Sequence, residues 1–437
     1  MHMKSRAHTL RPLIALGVLA LFAPLRTAGQ AAAPAAPPQN PPTRVTLDQA
    51  IDLALQHNHS LQAARTTILQ NQAQEITANL RPNPVALVDE QYMPFFSPHA
   101  FTSDYIDQTA VYDLGLSYLF ERGKKRQHRL GAAKDQTAVT SAQVSDNERT
   151  LTFNVASQFI SAVLAQADLD LAEKDLAGFQ QTVEISQASF QAGAMSGGDL
   201  LKIKLQLLQF QMDVSAARLA RVQALASLRQ LLGYESVPET YEVVGDLEYK
   251  PVKLGEDDLK AMALRQRPDV RAAQLGVTAA QSQFTLAKAN GKKDLGVTFT
   301  YNHLGGVNTG SLFFNIQMPI FDRNQGEIAR TQYAITQSQE LSSEQASIAL
   351  TDVTNSYEAL RTDDQVVQLY QSGYLKQAED SRDISQYAYQ HGSASLLDYL
   401  DAERSYRATE LAYRQALASY MTSLEQLRQA VGTRSLP

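Results

Sequence analysis

The chain is written twice, and a duplicated plan limits the folds open to it more than any single motif does. Ala54-Leu-Gln-His-Asn-His-Ser-Leu-Gln-Ala-Ala64 is matched 209 residues later by Ala263-Leu-Arg-Gln-Arg-Pro-Asp-Val-Arg-Ala-Ala273. Leu119-Phe-Glu-Arg122 returns as Ile320-Phe-Asp-Arg323, at an offset of 201. Gly193 to Asp199 pairs with Gly392 to Asp398, and Leu232-Gly233 with Val431-Gly432, both at 199. Each half follows one order: a helix, two short strands, a very long helix, a glycine-containing tip and a returning helix. The boundaries expected are a first repeat over 44–233, a linker over 234–256, a second repeat over 257–432 and a tail over 433–437.

Between Gly123 and Phe190 there is no proline, and Gly131 and Gly178 are the sole glycines inside the stretch. At about 1.5 Å per residue, some 65 helical residues would reach roughly 100 Å. Gly326 to Tyr389 is the expected counterpart. The returning segments carry a seven-residue beat: Leu200, Ile203, Leu207, Phe210, Val214, Ala217 and onward to Leu231 in the first half, Tyr399, Ala402, Tyr406, Thr409, Tyr413, Ala416 and onward to Ala430 in the second. Such a beat suits side chains packed knob into hole. A second apolar stripe, Leu201, Leu205, Leu208, Met212, Leu219 and Val222, adjoins the first. One stripe serves a two-helix hairpin. Two imply neighbours on both sides, as in a closed ring of helices.

Between the long helices the period falls to two. Tyr112, Leu114, Leu116, Tyr118 and Phe120 alternate with Asp113, Gly115 and Ser117, and Leu295, Val297, Phe299 and Tyr301 with small or polar residues. Strands are expected at about 84–92, 111–120, 295–302 and 311–319. Strands of this length, apolar outward and edged by aromatics, match a transmembrane barrel. Alternation alone fits a soluble two-layer sheet as well. Four strands cannot close a barrel with a passable bore, since width grows with strand number. Three copies would supply twelve strands and twelve helical passes.

Composition narrows the setting. Met1 to Arg11 is basic, Leu13 to Leu25 is apolar and Thr27-Ala28-Gly29 is small, so 1–29 reads as a secretory signal. Residues 30–43 form a leader rich in proline and alanine. There is no cysteine, which excludes disulfides, thiol catalysis, thiolate metal sites and the lipid-bearing cysteine of a lipoprotein. The net charge of −6 disfavours nucleic acid as a partner. Past the signal no apolar run is long enough for a helical span, so a membrane could be crossed only by strands.

On these patterns the sequence resembles the TolC-type outer-membrane factor family over nearly the whole mature chain. The resemblance is carried by the opening Leu47-Asp-Gln-Ala50, by Arg267-Pro-Asp269 at its repeat, by Pro319-Ile-Phe-Asp-Arg-Asn-Gln-Gly326, and above all by Tyr389-Gln-His-Gly-Ser-Ala-Ser-Leu-Leu-Asp-Tyr-Leu-Asp401. It implies a mainly α fold with a β-barrel portion, in which long coiled-coil hairpins form an α-barrel and each protomer gives four transmembrane strands. It further implies a homotrimer in the Gram-negative outer membrane, in contact with its lipid and with a tunnel reaching into the periplasm. There it would meet a periplasmic adaptor and an inner-membrane pump of the RND type or an ABC exporter. The Phe321 to Gly326 wording is similar to the heavy-metal efflux branch. The function implied is the exit duct of a tripartite efflux system; the alternatives are a protein-secretion conduit and, in another class, a non-pore periplasmic coiled-coil scaffold or adaptor.

Asp398 and Asp401 share a helix face, and the resemblance implies that they line the periplasmic mouth as stacked carboxylate rings. Acids in the first turn of a helix also simply favour the positive end of its dipole. Tyr389 and Asp199 match the family's interhelix latch, whereas Ala394 stands where some members carry a locking arginine. Gly193 and Gly392 are expected to end the outgoing helices and to permit close approach of the adaptor. His57 and His59, two apart on one expected helix, diverge and cannot share an ion. No catalytic constellation, cofactor motif or metal-binding pattern is present, so no enzyme is expected.

Overall fold

The computed structural model describes residues 43–436 apart from Leu254, so the expected signal and nearly all of the leader lie outside the described residues. The first half runs β1 (Thr43–Val45), α1 (Leu47–His57), α2 (His59–Ala78), β2 (Val85–Gln91), a short α3 (Ser103–Gln108), β3 (Val111–Phe120), α4 (Lys125–Gln191) and α5 (Gly197–Leu232). After β4 (Tyr241–Val243) come α6 (Glu256–Gln266), α7 (Pro268–Asn290), β5 (Leu295–Leu304), β6 (Val307–Ile316), α8 (Gln325–Leu369), α9 (Leu375–Gln390) and α10 (Leu396–Val431).

Each half opens with two helices where one was expected. Asn58 is extended (ψ 117°), and its side chain accepts from the Leu61 N–H while donating to the Leu231 carbonyl at 2.9 Å. In the repeat, Pro268 keeps Arg267 extended (ψ 124°), as a residue before proline prefers. Arg267 is 3% exposed and pairs with Asp269 at 2.6 Å and Asp352 at 2.9 Å, which neutralises a charge that could not otherwise be buried there.

α4 is continuous over 67 residues, and no neighbouring atom stands where a Cβ on Gly131 or Gly178 would lie. Its counterpart is not one helix. Tyr370–Tyr374 forms a π turn between α8 and α9, with Gly373 at φ 133°. No side chain adopts that conformation readily, and α4 has Lys174 at the position 199 residues earlier.

The four long strands form one antiparallel sheet in the order β2-β3-β5-β6. Its register puts Leu114 opposite Tyr301, Leu116 opposite Phe299, and Val297 opposite Phe314, all on one face. Asp113, Ser117, Thr298, Asn302 and Ser311 lie on the other, where Ser117 and Thr298 hydrogen-bond at 2.9 Å. The last strand begins at Val307, four residues before its expected start. Gly305 and Gly306, both at positive φ (59° and 72°), close a two-residue turn that draws residues 307–310 into the ladder. β2 and β6 each have one unpaired edge. The apolar face is uncovered: Leu114, Leu116, Phe299, Leu312 and Phe314 are all more than half exposed.

Of the two stripes on α5, the seven-residue one is covered. Ile203, Phe210, Val214 and Leu228 are 0–4% exposed, with Phe210 stacked on Phe179 of α4 at 4.6 Å between centroids. The adjoining stripe is bare, with Leu201, Leu205, Leu208, Met212, Leu219 and Val222 at 52–60% exposure. Away from the glycine-containing tips, each half has its own core, one around Phe159, Leu228 and Tyr241, the other around Val353, Tyr420 and Leu427. Among the described residues no helix is long and apolar enough to cross a membrane.

Candidate functional site: the paired helix tips

Both hairpins reverse by the same device. At the end of α4, Gly193 (φ 75°) donates to the Phe190 carbonyl and Ala194 to that of Ser189; at the end of α9, Gly392 (φ 72°) donates to Tyr389 and Ser393 to Ala388. This is the six-residue C-cap that left-handed glycine permits. Space around both glycines is open, with no atom within 4 Å of where a Cβ would sit. The returning helices then start on serine caps. Ser196 Oγ accepts from the Asp199 N–H at 3.1 Å and donates to Asp199 Oδ2 at 2.8 Å; Ser395 does the same with Asp398 at 3.2 and 2.7 Å. The Ser-x-x-Asp spacing at both tips is a capping signal legible in the sequence beside the acids themselves.

These bonds give the two aspartates a local task. Ser196 and Lys202 hold Asp199 below the usual carboxylate range, and Ser395 holds Asp398 there. Asp401 lies one turn on from Asp398, is 77% exposed and stands 3.7 Å from Arg404.

Within one chain Tyr389 and Asp199 do not meet. The Tyr389 ring stacks on Tyr399 at 5.4 Å between centroids and 8° between planes, and its hydroxyl is buried without a hydrogen-bond partner. An orphaned buried hydroxyl costs about 1–3 kcal/mol. Tyr399 itself is 3% exposed and packs with Phe179, Ile203, Phe210 and Leu396, so the two tips share one small core.

Above that core an ionic seam joins the hairpins. Arg407 of α10 reaches Asp175 of α4 at 3.0 Å and Asp213 of α5 at 2.7 Å, and its guanidinium lies 4.3 Å from the centre of the Phe210 ring. Two turns farther along α10, Arg414 donates to the Ala167 carbonyl at 2.6 Å. Sequence reasoning missed Arg407, whose partners lie about two hundred residues away and leave no local pattern. Burial pushes Asp175 upward, with Arg407 drawing it part of the way back; burial, aided by the nearby Asp175 charge, pushes Glu403 upward too. A carboxyl raised in the folded state supports folding most when protonated, and that contribution is lost as pH rises through its folded pKa. Glu403→Gln is therefore expected to raise the melting temperature at about pH 7.5 and to leave it unchanged below about pH 4. A lower melting temperature at pH 7.5 would show that the charge is needed.

The histidines are on separate helices, divided by Asn58, and His59 Nε2 lies 3.2 Å from Glu235. Among the described residues no three His, Asp or Glu side chains gather closely enough to hold a metal ion.

A family model described as "Outer membrane efflux protein" matches residues 50–234 and again 259–433. The cation efflux system protein CusC of Escherichia coli K12 is 29% identical over 65% of this chain and 63% of its own length, a little under two thirds of that protein. The cobalt-zinc-cadmium resistance protein CzcC of Cupriavidus metallidurans is 23% identical over 89% of this chain and 88% of its own. A crystal structure of CusC superposes with a TM-score of 0.73 at 21% identity, covering 89% of this chain and 92% of that one. The open state of the Neisseria gonorrhoeae MtrE outer membrane channel gives 0.72 at 20%, covering 89% of each.

Proposed function

The chain belongs to the outer membrane efflux protein family, and from that premise we propose that it is one third of a trimeric exit duct through which a tripartite system empties the periplasm. One observation carries the reading. A four-stranded sheet with two unpaired edges and a bare apolar face adjoins a helical hairpin whose second apolar stripe is also bare. A single copy can cover neither, and an exposed edge strand seeks a partner. Three copies side by side pair every edge, turn the apolar face to lipid and the polar face to water, and bury each α5 stripe against a neighbour.

In that ring Asp398 and Asp401 form two cationic-selective rings at the periplasmic mouth, since like charges held close attract counter-cations. Tyr389 and Asp199 form a latch that holds the mouth shut, for which the Tyr389 ring must leave its stack on Tyr399 so that its unpaired hydroxyl reaches the half-exposed carboxylate. Tyr389→Phe with Asp199→Ala is expected to raise single-channel conductance in a planar bilayer; unchanged conductance removes the latch. Gly193 and Gly392 present bare backbone to the periplasmic adaptor. Valine at both costs roughly 1–2 kcal/mol per site for the left-handed backbone but meets no atom. The double variant is expected to lose export while still forming trimers, and retained export would remove the docking role.

The pump is RND-type or an ABC exporter. CusC is named for cation efflux and CzcC for cobalt-zinc-cadmium resistance, which favours the metal branch over a protein-secretion conduit. Deleting the coding sequence should sensitise the cell to divalent or soft metal ions, and re-expression should restore resistance. A deletion strain indistinguishable from its parent, with no conductance from the purified protein, would overturn the reading. The family match removes the non-pore adaptor alternative.

A further inference from the structure

All four strand-to-helix connections lie at one end of the sheet, and they gather positive charge in a chain whose net charge is −6. From Glu121 to Arg129 the chain reads Glu-Arg-Gly-Lys-Lys-Arg-Gln-His-Arg, and the link from α7 to β5 holds Lys292 and Lys293. The remaining two connections add Arg81 and Arg323. The acids there are already committed: Glu121 to Arg129 at 2.7 Å, Asp294 to Lys125 at 2.7 Å and Asp322 to Lys293 at 3.3 Å. Among the described residues Arg81, Arg122, Lys124, Arg126 and Lys292 have no carboxylate partner.

The surplus charges are brought together by the backbone. The Arg122 N–H donates to Asp294 at 2.8 Å, which ties the start of α4 to the start of β5. Lys124 stands in the left-handed region (φ 58°) with no capping bond from its side chain. The Lys292 stem lies over Gly123, so close that a Cβ there would come within 2.7 Å of it. Immediately beside this basic band is a bare apolar rim: Met318 is 79%, Ile320 63% and Phe321 89% exposed.

We propose that this band is a binding collar for anionic phospholipid headgroups, with acyl chains against the rim and the uncovered sheet face and phosphates among Arg122, Lys124, Arg126 and Lys292. The inference rests on the membrane-spanning reading of the sheet. An apolar surface followed at once by unpaired cations repeats the order of a lipid, chain then phosphate. A nucleic acid or an acidic peptide would match the charge and leave the rim bare. Arg122 is exposed and follows closely on Phe120, the last residue of β3, which shares the apolar face with Leu116 and Tyr118. Basic residues pair readily with phosphate.

The test uses the full assembled protein in nanodiscs containing equal parts phosphatidylglycerol and phosphatidylcholine, with co-purifying lipid counted by native mass spectrometry. The unaltered protein is expected to retain phosphatidylglycerol on the order of tenfold over phosphatidylcholine, a preference that millimolar glycerol phosphate does not abolish. Arg122→Gln with Arg126→Gln and Lys292→Gln should erase the preference, while Arg122→Lys with Arg126→Lys should keep it. Planar-bilayer conductance is read in parallel. Channels that conduct but show no lipid preference, or a glutamine variant that keeps it, overturn the collar alone. Preparations that neither conduct nor enter nanodiscs overturn the membrane reading beneath it.

Discussion

Leu205→Glu combined with Met212→Glu is expected to leave a folded hairpin that no longer assembles. Both residues lie on the bare stripe of α5, at 60% and 57% exposure, while the neighbouring Ile203, Phe210 and Val214 that hold α5 to α4 are 0–4% exposed and untouched. Fully burying a leucine or methionine side chain contributes about 1.5–3 kcal/mol, and a carboxylate forced into the same place is costly instead. The effect repeats at every boundary of a ring. The check is electrophoresis of unboiled membrane extracts beside circular dichroism of the purified protein. Loss of the trimer band with helicity preserved supports a stripe-to-neighbour contact. A variant that assembles normally would mean that the stripe faces something else.

The second large effect is expected from Arg407→Ala. The guanidinium bridges two carboxylates on two different helices and covers an aromatic ring, and its side chain is 16% exposed beside Asp175 at 10%. Removing one member of such a cluster strands the acids, at a cost on the order of 3 kcal/mol. Asp175, Asp213 and the raised Glu403 would then repel one another across the seam, and the second hairpin would swing from the first. Higher conductance at neutral pH and a lower melting temperature are the expected readouts. Arg407→Ala with Asp175→Asn and Asp213→Asn should recover most of the stability, because no uncompensated charge remains. A single variant as stable and as closed as the parent would show that the seam is decorative.

Much of this architecture was open to a reader of the sequence because its signals are repetitive. Helices without proline, a seven-residue beat and a two-residue beat each report one geometry over many residues, so single exceptions do not obscure them. Phe210, Ile203 and Leu228 were on the beat and are buried; Leu205 and Met212 were on the second stripe and are bare. What escaped notice depends on one residue or on distance. Gly373 looks no different in sequence from Gly178, yet one sits at φ 133° and the other inside a regular helix. Gly305-Gly306 could have fixed the start of β6, had a two-residue turn been weighed against a longer loop. Arg407 carries no local mark, since its meaning comes from Asp175 and Asp213, which the chain brings near only after folding both hairpins. The tip acids were legible as acids, and their serine partners three residues earlier were equally so.

The acidic mouth, the Tyr389 latch and the lipid collar all presuppose that copies of the chain complete one another's edges. Native mass spectrometry of the protein extracted from outer membranes tests that most directly. Three mature chains per particle is the stoichiometry expected, with no lasting monomer when detergent is thinned. A stable single chain that stays in solution once detergent is withdrawn would contradict it, for then β2, β6 and the α5 stripe would need no neighbour at all.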